Sequence, residues 1–254
     1  AAHEAIDASG CKVIPVSSFM GLNNVDAENV MWGARIIADQ VGMYASFFAH
    51  MDYNSGVSYA YRAPKAVNKD LYDKMGQGDA RRQWWQADKG LIQQKFAFTD
   101  VSTWMGDYIF MRVEEMYLTA AEAECRLGDD ASAKKDLMAV MSQRDGSYDT
   151  QKSGTALGKT TEKSKETGSL LEEILIQRRL ELWGEFGRMY DLKRLKQGFR
   201  RTADQGWPSG LLLGTKPTDD PEAYMNVLTI PQAEFDGNES LNIDKDQNPI
   251  GDYK

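Results

Sequence analysis

The clearest hydrophobic pattern of the chain lies in residues 171–198. Apolar residues recur there at three- and four-residue spacing: Leu171, Ile174, Leu175, Leu182, Phe186, Met189 and Leu192. This periodicity is typical of one long amphipathic helix. Ser169, followed three residues later by Glu172, has the form of a capping box at the start, and Gly198 suits the end. The pattern therefore predicts a single helix over residues 171–198.

A stripe of alternating charge runs along the same predicted helix. Its members are Arg178, Glu181, Glu185, Arg188 and Asp191. They follow one another every three or four residues, so opposite charges would lie one helical turn apart. Aromatic residues beside them indicate partial burial, and buried ion networks fix how neighbouring elements dock and are costly to break. We therefore interpret these five residues as a structural ion network.

Glu181 and Glu185 also raise the alternative of a glycosidase-type carboxylate pair, because they would lie on one helical turn. A general acid of that kind needs a raised pKa. Arg178 and Arg188 would instead hold both carboxylates ionised. The sequence therefore predicts no catalytic residue, and we expect a protein that is not an enzyme.

A second helical pattern covers residues 108–145. Residues 108–127 and 131–144 are predicted to form a helix pair, and Gly128, Ala133, Leu137 and Val140 have the spacing of the second half of a tetratricopeptide unit. Residues 146–168 are rich in Ser, Thr, Lys and Gly, which predicts a flexible, solvated loop. Together the patterns predict a mainly α protein with irregular, loop-rich segments and a few short strands.

Residues 43–63 combine aromatic side chains with Asn, Ser and Gly, and no regular periodicity is visible. Sugars present C–H faces to flat rings and hydroxyl groups to polar neighbours, so their sites need exposed aromatic residues beside amide or charged groups. Of the adjacent Trp84 and Trp85, at most one can face a helical core. The candidate ligand-binding residues are Tyr53, Asn54, Tyr59, Tyr61, Arg62, Trp85 and Trp207. The alternative is that the tyrosines only pack this segment against the helices.

The composition of the chain argues against several classes of function. The chain has 254 residues, a formal net charge of −8 and no run of more than two basic residues, which argues against nucleic-acid binding. No apolar stretch approaches the length of a membrane span. The only histidines, His3 and His50, have no Cys, His or carboxylate at ligand spacing, so we expect no metal site and no cofactor.

Three sets of motifs together resemble the SusD/RagB-like family of surface nutrient-binding lipoproteins. One is RRLELWGEFGRMYDLKR at residues 178–194. Another is YIFMRVEEMYLTAAEA at residues 108–123. The third combines LTIPQAE at residues 228–234 with QNPIG at residues 247–251. The motifs span nearly the whole chain and occur in the order expected for that family.

The resemblance implies a SusD-like fold and a non-catalytic protein that binds oligosaccharide and delivers it to a SusC-like TonB-dependent transporter. It also implies the extracellular face of the outer membrane, with a lipid anchor that is not present in this chain. Residues 1–254 would then form a single C-terminal portion, without the repeat-containing N-terminal half. A peptide-binding surface protein of the same family and a protein–protein adaptor remain alternatives.

Overall fold

The computed structural model describes residues 1–42, 46–148, 169–185, 187–197, 199–201, 213–215 and 228–248. The chain divides into two compact units, Ala1–Phe186 and Gly187–Lys254, which are described separately. Helices predominate over short strands in the described residues, so the prediction of a mainly α fold is confirmed. None of these described helices combines the length and the apolar character of a membrane span.

The first unit contains seven α-helices and four short strands among its described residues. The helices are α1 Ala2–Ser9, α2 Phe47–Met51, α3 Ser58–Arg62, α4 Lys69–Tyr72, α5 Val113–Leu127, α6 Asp130–Met141 and α7 Leu170–Glu181. The strands are β1 Val30–Ala34, β2 Trp85–Gln86, β3 Ile92–Gln93 and β4 Tyr108–Arg112. β1 pairs with β4 and β2 pairs with β3, both in antiparallel orientation.

The helix predicted from residue 108 begins only at Val113, because the preceding five residues form β4. Tyr108 lies opposite Ala34 and Arg112 lies opposite Val30 in the ladder with β1. Aromatic and β-branched residues suit a strand, and pairing with β1 outweighs the helical pattern here. The strand leads directly into α5, so Arg112 lies at the junction of the two elements.

The remainder of the predicted helix pair is present as α5 and α6. Gly128 ends α5 with a φ of 86°, and Asp129 caps α6 by accepting a hydrogen bond from the backbone N–H of Ser132 (3.1 Å). Leu118, Leu137 and Ile174 belong to one buried apolar cluster, and α1 and α7 also pack against α5. Its assignment as a tetratricopeptide unit stays a prediction, and most of the predicted loop, residues 149–168, lies outside the described residues.

The single helix predicted over residues 171–198 is wrong, because the structure has two helices, α7 and α8 Arg188–Arg194. The start is as expected: the Ser169 hydroxyl accepts a hydrogen bond from the Glu172 N–H (3.0 Å). α7 ends at Glu181, and Gly184 and Gly187 then adopt φ values of 75° and 140°. These left-handed conformations interrupt a helix, although the apolar periodicity continues across them.

The second unit contains α8, the antiparallel strands β5 Phe199–Arg201 and β6 Leu213–Thr215, and the short helices α9 Gln232–Gly237 and α10 Ile243–Asp246. Its two tail motifs contact each other. The Gln247 side chain accepts from the Ile230 N–H (2.8 Å) and donates to the Ile230 carbonyl (3.0 Å). The Asn248 amide donates to the Leu228 carbonyl (2.6 Å), which explains why these distant motifs occur together.

Candidate functional site

The predicted ligand-binding segment folds as two short helices joined by a turn. Ser46 caps α2, and buried Asp52 accepts hydrogen bonds from the backbone N–H groups of Ser55 (3.1 Å) and Phe98 (3.0 Å). Burial raises the pKa of the Asp52 carboxyl, although these N–H donors oppose the shift. Val57 and other apolar residues of the segment face the core. The turn is therefore anchored to the core, and Tyr59 and Tyr61 of the following helix α3 lie at the surface.

Tyr59 and Tyr61 are 46% and 59% exposed, so these rings are not merely internal packing. The Tyr61 ring stacks on Tyr53, with centroids 5.4 Å apart and planes inclined by 15°. The Tyr59 ring stacks on His50 at 4.8 Å and 26°. Residues two positions apart leave a helix on different sides, so α3 carries one stacked pair on each flank.

Polar groups surround the pair formed by Tyr53 and Tyr61. The Gln86 amide donates a hydrogen bond to the Asn54 side-chain oxygen (3.3 Å), and the Lys89 ammonium lies 5.9 Å from the centre of the Tyr53 ring. Arg62 is exposed at the end of α3. We name Tyr53, Asn54, Tyr59, Tyr61 and Arg62, together with His50, Gln86 and Lys89, the tyrosine surface. It combines flat rings with amide and cationic groups, as a sugar-binding site requires.

Two tryptophans of the predicted site differ in outcome. Trp85 is buried, with its ring edge-to-face against Trp84, Tyr72 and Trp183, and Trp84 is buried as well. The prediction that one of the adjacent tryptophans presents its ring at the surface is therefore wrong, because the end of a 3₁₀ turn and the start of β2 direct both rings into the core. Trp207 lies outside the described residues.

A buried ion network occupies the interior of the first unit. We define it as the four cations and four anions that contact one another in the described residues: Arg81, Lys95, Arg112, Arg144, Asp79, Glu114, Glu181 and Glu185. They come from β4, α5, the end of α7 and the intervening turns. Formal charges balance within the set, which is the condition for burying so many ions.

Glu181 lies at the centre of the ion network and is fully buried. Its carboxylate accepts two hydrogen bonds from Arg144 (both 2.9 Å), one from Arg112 (3.1 Å) and a longer one from Arg81 (3.4 Å). Burial alone would raise the pKa of Glu181, but these guanidinium groups outweigh it and hold the pKa well below its usual range. Glu181 thus remains ionised and does not suit the role of a general acid.

Arg112 and Lys95 complete the ion network at Glu185. Arg112 donates two parallel hydrogen bonds to the Glu185 carboxylate (2.9 and 2.8 Å). The Lys95 ammonium donates to the same carboxylate (2.5 Å) and to the backbone carbonyls of Glu181 (2.7 Å) and Trp183 (2.9 Å). It therefore closes the end of α7, where carbonyls lack helical partners. Burial lowers the pKa of Lys95 to about 8, despite the opposing charge of Glu185.

The predicted stripe is thus correct for its two glutamates but wrong as a ladder along one helix. Arg178 contacts Glu115 of α5 (3.0 Å). Arg188 and Asp191 belong to α8 in the second unit, where Asp191 pairs with Arg194 (2.8 Å). The positive φ values of Gly184 and Gly187 interrupt the helix, so helical spacing no longer relates these residues.

Sequence reasoning missed the cations of the ion network and the polar neighbours of the tyrosine surface. Arg81, Lys95 and Arg144 are far from Glu181 along the chain, and no local spacing connects them. Arg112 and Glu114 were visible only as members of a family-like motif. His50, Gln86 and Lys89 join the tyrosine surface through tertiary contacts, and only the histidine lies within the aromatic segment itself.

The model of the SusD family matches residues 28–250 of the chain. No curated protein sequence matches it significantly. Among solved structures, a SusD-like carbohydrate binding protein from Bacteroides vulgatus is 22% identical with a TM-score of 0.67, and the match covers 96% of this chain and 54% of that one. A SusD superfamily protein from Bacteroides thetaiotaomicron is 20% identical with a TM-score of 0.64, covering 98% and 56%.

A third similar structure is NanU from Bacteroides fragilis, which is 19% identical with a TM-score of 0.53 and is matched over 57% of its length by the whole of this chain. At these identities the likeness concerns the fold, which is SusD-like. The chain spans about half the length of the structures it matches.

Proposed function

This chain belongs to the SusD family, and from that premise we propose that it binds oligosaccharide as a nutrient-binding protein and that the tyrosine surface contributes to the site. The observation that supports the proposal is the exposure of Tyr59 and Tyr61 beside amide and cationic side chains. Stacking on a ring does not require a deep cavity, so a shallow surface can recognise a sugar face. One similar structure is itself described as a carbohydrate binding protein.

We further propose that binding is not coupled to catalysis. The paired acids of the sequence, Glu181 and Glu185, lie in the ion network. Burial alone would raise their pKa values, but the surrounding cations outweigh burial and lower them. A glycosidase needs one carboxyl group with a raised pKa and another that remains ionised. These two glutamates are both held ionised, which supports a structural role.

The remaining part of the proposal concerns delivery. A nutrient-binding protein of this family would act at the extracellular face of the outer membrane, attached by a lipid anchor, and would hand its ligand to a SusC-like TonB-dependent transporter. Modest affinity suits such transfer, because a ligand that is bound too tightly leaves slowly. Co-purification of the full-length protein with an outer-membrane transporter tests this step, and recovery of the protein alone under mild extraction would contradict it.

Ligand binding is tested with the chain itself, first on a glycan array and then by calorimetric titration with each glycan that binds. Tyr61→Ala and Tyr59→Ala remove one ring from each stacked pair. A lost ring contact is worth about 0.5–1.5 kcal/mol beyond its buried area. Each variant whose missing ring contacted the ligand should therefore bind roughly 2- to 10-fold more weakly.

Phe110→Ala is the matched control, because Phe110 is 48% exposed and its ring pairs with another aromatic residue, Trp32, at 5.0 Å. We expect unchanged glycan affinity in this variant. Equal weakening in all three variants would indicate a general loss of structure. Unchanged affinity in both tyrosine variants would move the site away from the tyrosine surface, and binding of peptides without any glycan would contradict the proposed ligand class.

A further inference from the structure

Three side chains from three different helices of the first unit meet in one cluster. His3 lies on α1, Glu124 on α5 and Asp136 on α6. The His3 Nε2 atom is 2.9 Å from the Glu124 Oε1 atom and 3.0 Å from the Asp136 Oδ2 atom. The donor atoms of all three residues lie within 4.8 Å of one another.

The hydrogen bonds within this cluster leave buried acceptors without donors. A neutral imidazole carries one N–H, so Nε2 cannot donate to both carboxylates. The Asp136 side chain is only 6% exposed, yet its Oδ2 atom accepts no hydrogen bond from a described residue, and the same is true of the buried Glu124 Oε2 atom. Negative charge is thus concentrated here without sufficient donors.

We propose that His3, Glu124 and Asp136 form a binding site for a divalent transition-metal ion of the zinc type. One imidazole nitrogen with two carboxylate oxygens is a mixed donor set that suits Zn²⁺, whereas Ca²⁺ and Mg²⁺ prefer oxygen ligands alone. Zinc–ligand bonds of about 2.0–2.1 Å place tetrahedral donors about 3.3 Å apart, so the His3 nitrogen needs to move away from each carboxylate oxygen by only a few tenths of an ångström.

The surroundings of the cluster suit entry and a further ligand. The His3 side chain is 54% exposed, so an ion can reach the nitrogen from solvent and keep a water molecule in its remaining position. The two carboxylates are supplied by α5 and α6, which pack against each other, while α1 packs against α5. A bound ion would therefore tie α1 to the helix pair. The spacing argument from sequence missed this cluster because its members are distant along the chain.

The chain has only two histidines, which makes the test sharp. Untagged protein freed of metal by chelation is titrated with ZnCl₂ at about pH 8, because zinc competes with protons for its ligands and binds more tightly as the pH rises. We expect one bound ion per chain by calorimetry, and imidazole NMR signals of His3 that shift while those of His50 do not. His50→Ala assigns the signals and should leave zinc affinity unchanged.

His3→Gln and Asp136→Asn should each weaken zinc binding by more than about 10-fold, because even second-shell changes at metal sites cost roughly 10- to 100-fold. His3 is largely exposed, so its replacement does not endanger the fold. Ca²⁺ and Mg²⁺ should not displace the zinc. The proposal is overturned if His3 signals do not move, if His3→Gln binds zinc as the parent chain does, or if Ca²⁺ competes effectively.

Discussion

The ion network and the tyrosine surface lie in the same unit and use polar and aromatic residues in opposite ways. In the ion network, Glu181 is fully buried and each of its oxygens is held by guanidinium groups. On the tyrosine surface, Tyr61 is stacked on one face by Tyr53 and remains exposed to solvent. Removing a partner from the first leaves a buried charge, whereas removing a ring from the second leaves only a more accessible neighbour.

This difference separates the residues that make the family recognisable from the surface that we propose to bind a ligand. Arg112 and Glu114 come from one family-like motif, and Glu181 and Glu185 come from another, yet all four meet in the ion network. The motifs therefore report a shared frame. The tyrosine surface lies in a segment without such a motif, so its side chains can vary without disturbing the ion network.

The largest expected effect is on the ion network. Glu181→Ala leaves Arg81, Arg112 and Arg144 without their shared partner and should lower the free energy of unfolding by about 3–5 kcal/mol. Urea denaturation followed by circular dichroism measures it. Glu115→Ala is the control, because it breaks a more exposed pair with Arg178 and should cost no more than about 1 kcal/mol. Equal losses in both variants would remove the distinction.

A second effect of the ion network depends on pH. The pKa of Lys95 is lowered to about 8 in the folded chain from an ordinary value of 10.5. Between these values the unfolded chain binds more protons, so the Lys95 contribution to the free energy of unfolding rises with pH. The gain, taken relative to Lys95→Met, should be at most about 3 kcal/mol. Chemical denaturation of both proteins at several pH values tests it, and parallel pH profiles would contradict the shift.

Two glycines with nearly equal φ values extend the comparison to the backbone. Gly184, beside the ion network, has a φ of 75°, and an added Cβ would lie 2.5 Å from a ring atom of Phe96. Gly56, which lies just before α3, has a φ of 73° and open space around it. Both alanine variants carry the same backbone strain, so Gly184→Ala should be less stable than Gly56→Ala by roughly 1–3 kcal/mol. Equal unfolding midpoints would show that the core yields at Phe96.

The smallest expected effect is on the tyrosine surface. Tyr61→Ala should change the free energy of unfolding by no more than about 0.5 kcal/mol, because the ring is exposed and its partner Tyr53 keeps its own anchoring in the turn. Thermal melting of the variant beside the parent chain measures this. A shift of several degrees would make the tyrosines part of the frame and would weaken the comparison.

The sequence alone was sufficient to predict the fold class, because helical periodicity and family-like motifs can be recognised without knowledge of tertiary contacts. It was also sufficient for the start of α7, since a cap depends on the few residues around Ser169. It was insufficient at residues 108–112, where pairing with β1 decides the structure. It was also insufficient at Gly184 and Gly187, whose positive φ values interrupt the helix although the apolar pattern continues.

Prediction of the candidate site divides in the same way. Composition located Tyr59 and Tyr61, whose exposure was the open question, but it could not place Trp85, because adjacent aromatic residues do not reveal which way a turn directs them. The partners of Glu181 were beyond reach for a different reason. Arg81 is 100 residues away from it, and ion pairs at such separations follow no periodicity.

The same separation has a consequence for the course of folding. Loop-closure entropy must be overcome before Arg81 can meet Glu181, and a partly assembled network would hold unpaired charge in a dehydrated interior. Helix α5 and its neighbours can form from shorter-range contacts, so the ion network should form after the transition state has been crossed. Variants at Glu181 should then show φ-values near zero and act mainly by accelerating unfolding. The ion network would thus determine how long the chain stays folded.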